Sequence, residues 1–339
     1  MNDLPEQPPL EPENHPPPAQ SYERELPSPE QGAADSAVPL PDAEPPPVPD
    51  TAAGAAPQLF MQFLQPEPWH EERIPHFGHL GILILIALIG LLGAGVAARI
   101  ALYFHLFGVS TITQATTEIH YTLGSEGIFY ILTFAGSLLI FPLFWHKGLL
   151  SGLHWRGATA LRLRDRLFGA AVVCFILAMF NSVLIPGPED APIDRIFRMP
   201  GAAWMLFAFG VTLAPFFEEM GFRGFLLPAL CTAFDWMAEK AHNKPPHPLD
   251  ENGHPQWSLP AMSVATLITS VLFALIHADQ TAYSVGPFLL LVCVSLVLCW
   301  VRLATRSLAA SVLVHASYNF LLFSLMFFGT SGFRHLERM

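Results

Sequence analysis

The sequence predicts an all-α protein, a polytopic membrane helix bundle of about seven to eight transmembrane helices preceded by a disordered proline-rich tail. Three observations predict it. Hydrophobic residues make up 52% of the 339 positions and charged residues only 13%, where an ordinary globular chain carries about a quarter charged residues. The acidity and the prolines are gathered at one end: up to Arg73, 14 acidic residues stand against Arg24 and Arg73, and 19 of the 32 prolines lie at or before Pro75. From Leu80 onward, apolar runs recur that are long enough to cross ~30 Å of hydrocarbon, which takes ~20 helical residues. A compact soluble protein is excluded, because one end cannot bury enough apolar surface and the other carries too much.

Residues 1–75 read as a disordered acidic tail. Pro16-Pro17-Pro18 and Pro45-Pro46-Pro47 stiffen it locally into polyproline II, and small polar residues fill the gaps. Nothing in it carries chemistry. The chain's net charge of -11 belongs to this tail, so no basic surface remains for nucleic acid, and none is expected as a partner. No secretory signal is legible at the N-terminus, so the first span is expected to act as an uncleaved anchor.

Residues 76–339 form the membrane domain, with spans expected near 80–106, 127–145, 167–186, 201–218 with a continuation to about 235, 260–279, 285–303 and 307–328. Lipid offers backbone groups no hydrogen-bond partners, so runs of this length must be helices. Nine basic residues fall on one side of such a bundle: Lys147, Arg156, Arg162, Arg164, Arg166, Lys240, Lys244, and Arg302 with Arg306 in the link after the sixth span. The positive-inside rule places that side, and the tail with it, in the cytoplasm of a multi-pass cell-membrane protein. The four cysteines, Cys174, Cys231, Cys293 and Cys299, form no CxxC pair and read as reduced hydrophobes inside helices.

Three polar clusters interrupt the later spans, where each charge costs at least ~2.5–3.5 kcal/mol and usually faces the bundle interior with a task. The first is Glu218-Glu219-Met220-Gly221-Phe222-Arg223. Glu219 and Arg223 are spaced i,i+4 and can pair, whereas Glu218 points about 100° away from Glu219. One glutamate is thereby neutralised, and the other is left free in a low dielectric to take up and release protons. The second is Phe273 to His277, and the third is His315 to Asn319. The i,i+4 spacing of His315 and Asn319 puts two donors on one helical face, as needed to hold an oxygen gaining negative charge. Any one of these clusters alone suits helix-to-helix packing. Together in one bundle they favour chemistry.

These motifs, EExxxR (Glu218, Glu219, Arg223), FxxxH (Phe273, His277) and HxxxN (His315, Asn319), in that order on successive spans, resemble the CAAX protease and bacteriocin-processing (Abi) family of intramembrane peptidases, which includes the type II prenyl-protein endopeptidases. The resemblance covers residues 201–325 and does not extend to the tail. It implies an endopeptidase that hydrolyses a peptide bond of a membrane-associated substrate. In this sequence Glu218 and His277 match the pair that activates water, His315 and Asn319 the pair that holds the oxyanion, and Glu219 and Arg223 the supporting positions. No cofactor is expected on that route. A divalent metal such as zinc is the open alternative, since Glu218, His277 and His315 offer an N/N/O set, although the HExxH signature is absent. Two other classes use the same residues differently: a proton-coupled transporter as a relay, and a non-catalytic immunity or scaffold protein for packing. The partners expected are the lipid bilayer and a membrane-associated peptide or protein substrate.

Overall fold

A computed structural model of the chain describes residues 74–185, 191–197, 199, 201–245 and 256–334. The acidic tail lies outside them except for Ile74 and Pro75, and so do His247 and His254 of the loop before residue 260. Among the described residues the fold is all helical. Its long helices are α1 (Phe77–Tyr103), α2 (Ile119–Trp145), α3 (Arg164–Leu184), α4 (Ala202–Val211), α5 (Leu213–Glu219), a π-helical segment (Met220–Leu226), α6 (Leu227–His242), α7 (Leu259–Ile276), α8 (Val285–Thr305) and α9 (Leu308–Gly329). Six of them are long and apolar enough to cross a membrane. The bent run from Ala202 to His242 makes a seventh span if it is counted as one. This is a multi-pass membrane protein.

The outer surface carries the mark of lipid as solvent. Leu92, Leu139, Leu143, Val183 and Leu184 all stand exposed, a pattern that water would penalise and hydrocarbon does not. Contact between α1 and α2 depends on small residues. A Cβ on Gly90 would come within 2.8 Å of the Thr133 hydroxyl, and one on Gly136 within 2.6 Å of Ile86. The interior is built from two main clusters. In one, Phe141, Trp145, Leu149 and Leu153 pack on Phe217, Phe225 and Leu308. In the other, α3, α8 and α9 meet through Ala171, Cys174, Leu298 and Val314.

Two expectations are corrected here. Helix α2 begins at Ile119 rather than at 127, so Glu126 lies within the helix and not ahead of it. Helix α8 runs to Thr305, so Arg302 is a buried helical residue and not part of a polar link. All four cysteines are free and helical, as expected; Cys174, Cys231 and Cys299 are buried and Cys293 is exposed.

The turn between α8 and α9 leaves Arg306 exposed and buries the residues that follow. Ser307 and Leu308 are fully covered, the Leu308 N–H donates to the His154 carbonyl at 3.1 Å, and the Ser307 hydroxyl donates to the Arg156 carbonyl at 3.1 Å. The segment after α2 therefore closes over the start of α9. Counted by helical rise alone, His315 lies only ~12 Å into its helix, against ~25 Å for His277. The two meet because α9 starts beneath this cover. On the same side of the bundle, buried Asp235 of α6 accepts from the N–H and the hydroxyl of Ser258 at 3.0 and 2.5 Å, which ties α6 to the N-cap of α7.

Candidate active site

The site is built around a break in helical register. Thr212, between α4 and α5, has φ −116° and ψ −72°, and the run bends there by 40°. Pro215 costs nothing in the first turn of α5, where its missing N–H would be unpaired in any case. Pro228 costs more, because it cannot donate to the carbonyl four residues back. The ladder ahead of it widens into the π turn Met220–Leu226, with the Leu227 N–H reaching the Phe222 carbonyl. Single π turns of this kind occur mostly inside α-helices at functional positions.

The break carries Glu218 and Glu219 in opposite environments. Glu219 is fully buried. One of its oxygens, Oε1, accepts from Arg223 Nη1 at 2.9 Å and faces His315 Nδ1 at 3.0 Å. Arg223, also fully buried, donates to the Ser295 carbonyl and hydroxyl at 3.2 and 2.5 Å. Its guanidinium lies 4.6 Å from the centre of the Phe273 ring, a cation–π distance. Phe273, the first residue of FxxxH, thus covers the arginine, while its carbonyl accepts from His277 Nδ1 at 2.8 Å. A carbonyl can only accept, so Nδ1 of His277 carries the proton, and in the neutral ring Nε2 is left as the acceptor.

Glu218 stands between the two histidines. His277 Nε2 is 3.9 Å from its Oε1, and His315 Nε2 is 3.8 Å from its Oε2. Its side chain is 17% exposed, against 0% for Glu219. The structure therefore brings Glu218, Glu219, Arg223, His277 and His315 into one cluster. Asn319, one turn beyond His315, donates through Nδ2 to the Gly210 carbonyl at 2.7 Å. That carbonyl lies in the last turn of α4, where the helix supplies too few donors, so Asn319 also seals the break.

Sequence reasoning missed four contributors. Ser295 and Arg302 hold the arginine side of the site, Arg302 Nε donating to the Arg223 carbonyl at 3.1 Å. Tyr130 stacks on Phe217, the neighbour of Glu218, with ring centres 4.6 Å apart, and its hydroxyl donates to Glu126 at 3.0 Å. The i,i+4 spacing of Glu126 and Tyr130 was the available signal, hidden by placing the start of α2 too late. As they stand, these donors are not spaced for a tetrahedral zinc ion. Among the described residues no three or more His, Cys, Asp or Glu side chains are arranged to hold a metal. The 3.9 and 3.8 Å separations also exceed the roughly 3.3 Å between two ligands of a tetrahedral zinc with bonds of ~2.0 Å.

Bundle and cluster together define a class: a polytopic helical membrane protein with a carboxylate–histidine centre inside its spans. Residues 200–321 match the family model described as Type II CAAX prenyl endopeptidase Rce1-like, the same family that the motifs resemble. The match covers 122 of the 339 residues, and over that segment the chain is similar to a family of membrane proteases. No curated protein and no solved structure matches the chain.

Proposed function

We propose that the protein is an intramembrane endopeptidase that cleaves a peptide bond of a membrane-associated substrate, CAAX-type tails being the substrates that the family match suggests. The observation that carries this reading is the placement of Glu218 with an imidazole Nε2 on either side. A carboxylate and a neutral Nε2 are both acceptors and have no hydrogen to share. A water held at ~2.8 Å from Glu218 and from His277 supplies it, donating one hydrogen to each. Glu218, assisted by His277, takes the water's proton as the oxygen attacks the scissile carbonyl. The tetrahedral oxygen is held by Nε2–H of His315 and by the remaining N–H of Asn319, and Glu218 then delivers its proton to the departing amine. Since Nδ1 of His315 is engaged by Glu219, this step requires a proton on both ring nitrogens of His315. Glu219 and Arg223 act through His315 by fixing the direction of its ring.

The orientation proposed is the one the basic residues indicate, with the tail cytoplasmic. The test is cleavage of a peptide library by the purified protein in detergent, with and without chelator. Wild type cleaves, the chelator leaves the rate unchanged, and Glu218→Gln lowers it by about 10²–10⁴ or more, the size of a lost general base. A well-folded Glu218→Gln protein cleaving at the wild-type rate contradicts the assignment. Loss of wild-type cleavage on chelation contradicts the metal-free route.

A further inference from the structure

Away from the glutamates, a cavity of about 310 Å³ opens between the C-terminal end of α8 and the start of α7, bordered by His154, Gln256, Trp257, Met262, Arg302 and Arg306. Among the described residues no acidic side chain lines it. Arg302 is 4% exposed, and its guanidinium is met by neutral groups: the Arg223 carbonyl at 3.1 Å, the Leu153 carbonyl at 3.4 Å and His154 Nδ1 at 3.5 Å. Among the described residues no carboxylate forms an ion pair with it. A buried cation held only by neutral acceptors is costly, and an anion against it offsets that cost.

We propose that this cavity binds a phosphate group, carried either by an anionic phospholipid headgroup or by free inorganic phosphate, with the Arg302 guanidinium as its anchor. Three features favour phosphate. Arg302 Nη1 takes no part in those three bonds, and its N–H groups can donate to a phosphate oxygen in a charge-assisted bond. Gln256 adds a neutral amide donor at the mouth. The cavity lies at the end of a membrane span beside an indole, the level at which headgroups sit, and on the side where the sequence gathers its basic residues. Binding here is independent of whether the protein cleaves peptides.

The test uses the purified full-length protein. In detergent, inorganic phosphate should raise the melting temperature above the value in chloride at matched ionic strength. In phosphatidylcholine nanodiscs doped with phosphatidylglycerol, native mass spectrometry should detect retained phosphatidylglycerol. If phosphate adds no further shift in the doped discs, the headgroup is the occupant, and if the shift persists, free phosphate is. Arg302→Gln should weaken binding about tenfold or more, the size of one charge-assisted hydrogen bond. Because that variant removes three structural bonds, Met262→Phe, which fills the cavity and keeps every charge, should weaken binding as well. The proposal is overturned if neither phosphate nor phosphatidylglycerol is preferred over chloride and phosphatidylcholine, or if Met262→Phe binds like wild type. It is equally overturned if a peptide acid, and not phosphate, stabilises the protein relative to the peptide amide.

Discussion

Glu218 and Glu219 are adjacent in sequence and opposite in circumstance. Glu219 sits beyond solvent with Arg223 and His315 on a single oxygen, while Glu218 keeps partial exposure and faces two imidazoles. The pairing of Glu219 with Arg223 was legible from i,i+4 spacing alone. The contact of Glu219 with His315 was not, because nothing local in the sequence relates residues 96 positions apart. The buried pair is the stability liability of the site. Arg223→Met strands Glu219 in a dry interior and should cost about 3–5 kcal/mol, read as a large fall in melting temperature in detergent. A variant that melts with wild type would mean that the pair is compensated elsewhere.

At the scale of elements, the bend at Thr212 and the π turn at 220–226 place the acids. Pro215 and Pro228, which flank Glu218 in the sequence, are a local signal for a bent or broken span, and the structure has both a bend and a widened turn. Which residues would widen was not legible, since the π turn also depends on Arg302, from another helix, binding the Arg223 carbonyl. Pro228→Ala returns an N–H to the ladder and should draw the turn toward α geometry. Cleavage should then fall while the melting temperature holds or rises, because a helix interior prefers alanine by ~3 kcal/mol. A fall in stability with unchanged cleavage would detach the π turn from catalysis. The ends of spans were legible to within a few residues, except at the start of α2 and the end of α6. Glu126 was placed ahead of α2 and Arg302 in a link after α8, although each is held inside the bundle by Tyr130 or by backbone carbonyls.

Across the whole molecule, the all-helical membrane class and the grouping of the three motifs were legible because composition and span length constrain them strongly. The cover over the α8–α9 turn was not, since the segment after α2 looks like an ordinary polar loop. The proposed orientation rests on the basic residues that flank the spans, Arg302 apart. Single cysteines introduced at Lys147 and Lys244 should react with impermeant maleimide only from the cytoplasmic face, and one at Thr116 only from the opposite face. The reverse labelling would invert the topology without changing the site.

The claim on which the rest depends is that Glu218 and His277 act as one unit on one water. A double-mutant cycle on peptide cleavage by purified Glu218→Gln, His277→Ala and the combined variant measures this directly. If they form a unit, the second change adds little, and the double variant stays within about tenfold of Glu218→Gln. Losses that multiply in the double variant would contradict the account, because the two side chains would then be contributing independently.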